Sequence, residues 1–154
     1  MEMNNEAFEI FQLSAQGFCC SQIFVILALR KEGKENPDLV RAMNSMCGGV
    51  GLSGKSCGIL LGGLSVLGLY GGKGKDTEYR NESFTKMVKE FVAWFEEEFK
   101  STDCIDIVGY QVISDETGEE SYPVKCGKSL LQSYYKVMEI LEQFGFELGD
   151  RDDE

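Results

Sequence analysis

Cysteines are the residues of this sequence whose side chains are best suited to chemistry. The chain has six of them: Cys19, Cys20, Cys47, Cys57, Cys104 and Cys126. Thiolates act as nucleophiles, as redox groups and as ligands of soft metals. The chain has no histidine, which removes the commonest general base, the usual nitrogen ligand of zinc and the usual axial ligand of haem. Chemistry must therefore come from thiols, carboxylates or a bound cofactor.

The spacing of the cysteines alone predicts little, because no two form the C-x-x-C pair of zinc knuckles or thioredoxin-type sites. Their positions in predicted elements say more. Cys20, Cys57, Cys104 and Cys126 each lie near a predicted helix start or a short turn after a loop. Helix N-termini lower the pKa of a thiol, so four such ends could converge on one site. The alternative is ordinary core packing, since cysteine is among the most often buried residue types.

The elements that position these cysteines are predicted to be helices. Residues 3–16 have an amphipathic pattern, with the apolar face Ala7, Phe8, Phe11 and Ala15. Residues 20–31 are apolar nearly all round, which is typical of a buried central helix. A third helix begins at Pro37 and ends at the glycine pair 48–49.

Three more helices are predicted after the glycine pair. One extends from Cys57 to about Tyr70 with Ser56 as its cap, and its glycines at 58, 62 and 63 permit close approach of another backbone. Residues 80–100 have a clear apolar face, which is formed by Phe84, Met87, Val88, Phe91, Val92, Phe95 and Phe99. The last long helix covers about 124–144.

The expected fold is an all-α, single-domain bundle of about five or six helices, with a short β-hairpin as an option near residues 110–123. The domain covers residues 1–147, and residues 148–154 are expected to form a frayed acidic tail. Homo-oligomers are an option, because glycine-rich helices pack closely.

Charge and hydropathy limit the partners and the location. The formal net charge is −11, which repels phosphate backbones and anionic membrane surfaces, so nucleic acid is not expected as a partner. The apolar run 58–72 is too short for a membrane span, which needs about 20 residues. The N-terminus lacks the basic and apolar regions of a signal peptide. These features predict a cytoplasmic protein, where structural disulfides are rare.

Residues 49–56 match the phosphate-binding pattern G-x-x-x-x-G-K-S. That loop requires a preceding buried strand, whereas the residues before it, RAMNSMC, are not strand-like. A coincidental match within a glycine-rich connection between helices is the favoured interpretation, and a P-loop nucleotide binder at 49–56 is the less favoured one. The acidic surface and the amphipathic helices also leave open a non-catalytic helical interaction module.

Four segments in order, GFCCSQIF, CGGVGLSGKSCGILLGGLSVLGLYGG, CIDIVG and KCGKSL, resemble a family of redox-active proteins named for the pattern C_GCAxxG_C_C. The resemblance covers roughly residues 6–142, and its glycine-rich part is the most specific. This chain departs from the pattern at Ile59, where the family usually has alanine.

The resemblance implies that Cys20, Cys57, Cys104 and Cys126 are the redox-active, cofactor-binding or metal-binding residues. Cys19 and Cys47 are additional, as further ligands or as a resolving thiol. Four thiolates suit an iron–sulfur cluster or zinc, and the implied function is electron transfer with a redox partner protein or a small electron carrier. A dithiol–disulfide redox protein without metal is the alternative. Covalent haem is not expected, because the chain has neither C-x-x-C-H nor histidine.

Overall fold

The structure is a computed structural model and describes residues 5–108 and 124–151. Seven α-helices lie in these two ranges: α1 (Asn5–Ala15), α2 (Cys20–Lys31), α3 (Pro37–Met43), α4 (Gly58–Gly71), α5 (Phe84–Phe99), α6 (Cys104–Val108) and α7 (Val124–Gln143). One turn of 3-10 helix, Asn44–Met46, follows α3. The all-α prediction is confirmed for the described residues, which contain no β-strand. The hairpin considered for 110–123 lies outside them.

The N-cap residues determine where the helices next to Cys20 and Cys57 begin. Helix α2 starts at Cys20 because Cys19, the N-cap, is extended, with φ −99° and ψ 175°. Helix α4 is capped by Cys57, so the prediction that Ser56 caps it is wrong. Ser56 instead makes an antiparallel bridge with Asp103. The short helix α6, which carries Cys104, accounts for the excess over the predicted number of helices.

Helix α2 is the centre of the bundle, and its most extensive contact is with α4. Helix α4 has glycines, and so no side chains, at the positions where it contacts α2 and α5. A Cβ on Gly62 would lie 2.7 Å from the Cβ of Phe24, and a Cβ on Gly63 would lie 2.5 Å from a ring carbon of Phe91. Both distances are too short for carbon–carbon contact. The close approach of α4 to α2 and α5 therefore requires glycine at these two positions.

The outer helices pack through their apolar faces. Helix α5 buries Met87, Phe91 and Phe95 completely, as its periodicity predicts. Helix α1 packs against α2 and α7 through Ile10 and Leu13, whereas Phe8 is 49% exposed and Phe11 is 70% exposed. The predicted inward face of α1 is therefore wrong. The helix carries apolar residues on both faces, so periodicity alone did not identify the packed one.

The chain after α7 returns to the bundle. The Gly149 amide donates a hydrogen bond to the Tyr70 hydroxyl at 2.8 Å, and the Arg151 guanidinium contacts the Glu32 carboxylate at 2.7 and 3.1 Å. Phe146 stacks edge-on against Tyr70. The described part of the expected tail is thus attached to α2 and α4 rather than frayed.

No helix in the described part of the chain combines the length and apolar character that a membrane span requires.

The glycine contacts of α4 lead to a matched pair of substitutions. We expect Gly62→Ala to lower the free energy of unfolding by about 1–3 kcal/mol, because the added methyl overpacks the contact with Phe24. Gly68→Ala, in the same helix but with nothing within 4 Å of its Cβ position, should instead raise it by about 0.5–1 kcal/mol through helix propensity. Urea denaturation measures both. Equal effects would contradict the close approach of α2 and α4.

Candidate functional site

Four cysteines from four helices lie in one buried region of the core, which we call the cysteine chamber. Cys20 is the first residue of α2, Cys57 caps α4, Cys104 is the first residue of α6, and Cys126 lies in the first turn of α7. Their side chains are thiols rather than disulfides, and each residue is at most 8% exposed. Cys20 lies within electrostatic range of the other three, and Cys57 within range of Cys104. The four predicted site residues are thus brought together.

The contact between α2 and α4 places Cys20 beside Cys57. A Cβ on Gly58, the residue after Cys57, would lie 2.6 Å from the Sγ of Cys20 and 3.2 Å from the carbonyl oxygen of Met46. Only glycine leaves room for the Cys20 sulfur at the beginning of α4. The first glycine of the helix is therefore part of the chamber wall.

Backbone hydrogen bonds bring Cys104 to the same place. The Cys104 amide donates to the carbonyl of Lys55 at 2.6 Å, and the Cys57 amide donates to the carbonyl of Thr102 at 2.8 Å. The Ile105 amide donates to the carbonyl of Gly54 at 3.1 Å. These bonds join the segment before α6 to the segment before α4, so the two cysteines are positioned by main chain rather than by side-chain packing.

The loop between Cys47 and Cys57 has an unusual backbone. Five consecutive residues, 48–52, are left-handed, and two of them, Val50 and Leu52, are not glycine. Such a conformation costs about 1–2 kcal/mol for each non-glycine residue. The loop is closed by hydrogen bonds from the Gly54 amide to the Gly48 carbonyl and from the Lys55 amide to the Gly49 carbonyl, at 3.0 and 2.9 Å. It is a compact, strained connection between helices.

This geometry does not favour a phosphate-binding loop at 49–56. A 3-10 turn, not a strand, precedes the loop, and the described residues contain no sheet to which such a strand could belong. A Cβ on Gly49 would lie 2.6 Å from backbone atoms of Lys55 and 2.7 Å from the Cβ of Cys104. The glycine is thus explained by chamber packing, and the interpretation of the loop as a connection between helices is confirmed.

Burial controls the protonation of the chamber. It raises the pKa of Cys20 far above the ordinary value, with the nearby Cys57, Cys126 and Cys104 adding to the rise. Burial raises the pKa of Cys57 to about 11, although the amides of Ile59 and Leu60 at the start of α4 lower it in part. Burial also raises the pKa of Cys104. The helix start does lower the pKa of Cys57 in part, but the expected net lowering is wrong for Cys20, Cys57 and Cys104, because desolvation outweighs the helix end.

The two additional cysteines are joined to each other. Cys19 and Cys47 form a disulfide across 28 residues, with their Cα atoms 6.0 Å apart, and both are 3% exposed. In this state neither sulfur is a thiol ligand, so the expectation that they add ligands does not hold for the oxidised pair. The pairing links the N-cap of α2 to the beginning of the glycine loop. Sequence spacing gave no signal for it, since the two residues meet only through the packing of α2 and α3.

No three cysteine, aspartate or glutamate side chains of residues 5–108 and 124–151 are placed to hold a metal ion. An apolar groove of about 490 Å³ lies between α2 and α3, and its wall includes Phe18, Ile26 and Val40. None of the six cysteines lines that groove. The groove and the cysteine chamber are therefore separate regions of the protein.

The raised pKa of Cys57 predicts a pH-dependent stability for the metal-free protein. The unfolded thiol ionises near 9.0 and the folded one near 11, so the stabilisation is complete below pH 9 and is lost as the pH rises toward 11. From this thiol alone we expect a fall of about 2–3 kcal/mol in the free energy of unfolding. Urea denaturation across that interval measures it. The loss should be smaller in Cys57→Ala, and equal slopes in both proteins would contradict the burial of this thiol.

The sequence model of the family described as "Putative redox-active protein (C_GCAxxG_C_C)" matches residues 18–140, a range that contains all four chamber cysteines. No curated protein and no solved structure matches the chain. Because the match covers most of the chain, the protein belongs to the C_GCAxxG_C_C family of redox-active proteins.

Proposed function

We propose that the cysteine chamber holds an iron–sulfur cluster through Cys20, Cys57, Cys104 and Cys126, and that the protein transfers electrons. The observation that carries this proposal is the convergence of four buried thiols from four separate helices. Cysteines that merely fill a core have no reason to gather around one of their number, as these do around Cys20. Four thiolates are the standard ligand set of iron–sulfur clusters.

The donor set fits a cluster better than a single ion. All four donors are soft sulfur atoms, which suits both iron–sulfur clusters and zinc. Zinc has no redox chemistry, whereas the family is described as redox-active, so the cluster is the better fit.

The protonation of the chamber favours a metal centre over dithiol chemistry. A nucleophilic dithiol needs a thiolate, which proteins stabilise with positive charge and partial exposure. Burial instead raises the pKa of Cys20, Cys57 and Cys104, and no positively charged side chain of the described residues is among the causes of these shifts. A bound cation would supply the missing charge and release the thiol protons.

The surroundings of the chamber suit electron transfer. The cluster supplies a one-electron redox couple when bound, and an apolar, water-poor surrounding tunes its potential. Cys104 is buried, but the next residue, Ile105, is 45% exposed, so one edge of the chamber lies close to the surface. The net charge of −11 favours an electron carrier or a partner protein with a positive surface.

Anaerobic reconstitution with iron and sulfide tests the proposal. We expect stoichiometric iron and sulfide with a visible charge-transfer absorption, and loss of both in Cys57→Ser and Cys104→Ser. The double variant Cys19→Ser/Cys47→Ser is the matched control, because it removes two equally buried cysteines outside the chamber and should retain the cluster. Binding of zinc without sulfide would show that the four thiolates form a structural zinc site and not a cluster. Full iron content in the chamber variants would refute the ligand assignment.

The wall of the chamber provides a second test that leaves every cysteine in place. Gly58→Ala puts a methyl group 2.6 Å from the Cys20 sulfur, whereas Gly127→Ala, next to Cys126, meets nothing within 4 Å. We expect about tenfold weaker retention of iron under chelator challenge in Gly58→Ala, by analogy with the losses seen when residues that orient metal ligands are changed. Gly127→Ala should behave as the unmodified protein. Equal retention would remove Cys20 from the ligand set.

A further inference from the structure

We infer that the Cys19–Cys47 pair is a second redox site, a reversible disulfide that restrains the glycine loop and controls access to the chamber. The disulfide lies directly beside the chamber, because Cys19 precedes Cys20 and Cys47 begins the loop that ends at Cys57. Control of cofactor entry to the chamber rests on the proposed function. The redox site itself follows from its own contacts.

The surroundings of the pair accommodate both redox states. The Asn44 Oδ1 lies 3.9 Å from the Cys19 sulfur and 3.7 Å from the Cys47 sulfur. The Ser21 hydroxyl, which donates to the Met43 carbonyl at 2.8 Å, lies 3.5 and 3.6 Å from the same two sulfurs. After reduction the two S–H groups have an amide oxygen and a hydroxyl oxygen as acceptors. Neither state leaves a buried polar group without a neighbour, so the fold does not force the pair to remain oxidised.

A reductant can approach the pair from one side. Both sulfurs are buried, but Asn44, which contacts them, and Ser45, the next residue, are exposed. The disulfide therefore lies one side chain below the surface, under a short 3-10 turn. Local opening of such a turn requires less free energy than global unfolding.

The loop couples the pair to the chamber. Cys47 is followed at once by the five left-handed residues 48–52, and the disulfide fixes the beginning of this strained segment to α2. The same loop packs against Cys104 at Gly49 and bonds to the Cys104 amide at Lys55. When the link between Cys19 and Cys47 is absent, the strain favours opening of the loop, and the wall over Cys57 and Cys104 loosens.

The redox step is thiol–disulfide exchange with a small-molecule or protein dithiol. One thiolate of the reductant attacks a sulfur of the pair, forms a mixed disulfide and displaces the other sulfur, which takes up a proton. The second thiolate of the reductant then attacks the reductant's own sulfur in the mixed disulfide and displaces the remaining cysteine sulfur, which takes up a proton, so the reductant leaves with an internal disulfide. The protein gains two electrons and two protons as Cys19 and Cys47 thiols, and the dithiol loses the same number.

The test uses the full-length, metal-free protein in its oxidised and dithiol-reduced forms. Thiol counting after denaturation should give four thiols before reduction and six after it, as the two cysteine sets require. Maleimide labelling with peptide mapping should then show Cys57 and Cys104 reacting about tenfold faster in the reduced native protein, since loop opening governs access. Hydrogen exchange in α5, which packs on α4 and α7, should stay unchanged, and this result would exclude global unfolding.

The double variant Cys19→Ser/Cys47→Ser separates the restraint from other effects of the reductant. Its chamber cysteines should react at the fast rate with or without dithiol. Equal rates at Cys57 and Cys104 in the two forms of the unmodified protein would overturn the inference, as would a disulfide that only denaturant makes reducible. Because no metal is present, failure of cluster assembly leaves this result unchanged. Normal cluster assembly together with equal labelling rates of Cys57 and Cys104 in the two forms would contradict the control of access by the disulfide and would support the proposed function.

Discussion

The close approach of α4 to α2 is the constraint on which the site depends. The two helices meet where glycine replaces side chains, at Gly58 against Cys20 and at Gly62 against Phe24. Removing a Cβ at each contact lets the first residue of α2 lie beside the cap of α4. The backbone bonds that add Cys104, and the packing of α7 against α4 that adds Cys126, build on this arrangement. A single extra methyl at Gly58 would therefore change the chamber although every cysteine stays in the sequence.

Desolvation is the second force that shapes the site. A thiol is a weakly polar group that a core tolerates, whereas a buried thiolate without a cation is expensive. The chamber avoids this cost by keeping its thiols protonated. At Cys57 the amides at the start of α4 lower the pKa by less than burial raises it. The Cys19–Cys47 pair avoids it differently, because oxidation removes the protons and joins the sulfurs. Adjacent residues, Cys19 and Cys20, thus belong to sites with different chemistry.

Local sequence pattern predicted those features that local physics determines. The boundaries of α2, the packed face of α5 and the helical character of the long segments follow from hydrophobic period and from caps. The packed face of α1 did not follow, since Phe8 and Phe11 compete with Ile10 and Leu13 and only the positions of α2 and α7 decide between them. The short α6 lies below the length at which a period can be recognised.

The candidate site was predictable to a lesser degree. Position at helix starts singled out four cysteines, and the family resemblance pointed to the same four. Their protonation was not predictable, because the direction of the pKa shift depends on burial by elements distant in sequence. The disulfide was not predicted for the same reason, since Cys19 and Cys47 are 28 residues apart and share no motif. Long-range packing supplies what local pattern omits.

The glycine loop illustrates how one local pattern can serve a different physical purpose. In a phosphate-binding loop glycines let backbone amides surround a ligand. Here Gly49 leaves space for Lys55 and Cys104, and the amides of Gly54 and Lys55 are used within the loop. Leu52 offsets part of its left-handed strain by packing against the core, whereas Val50 is 44% exposed and gains little from burial. The strain at Val50 must therefore be held by the loop's attachments, and the disulfide at Cys47 is the covalent one.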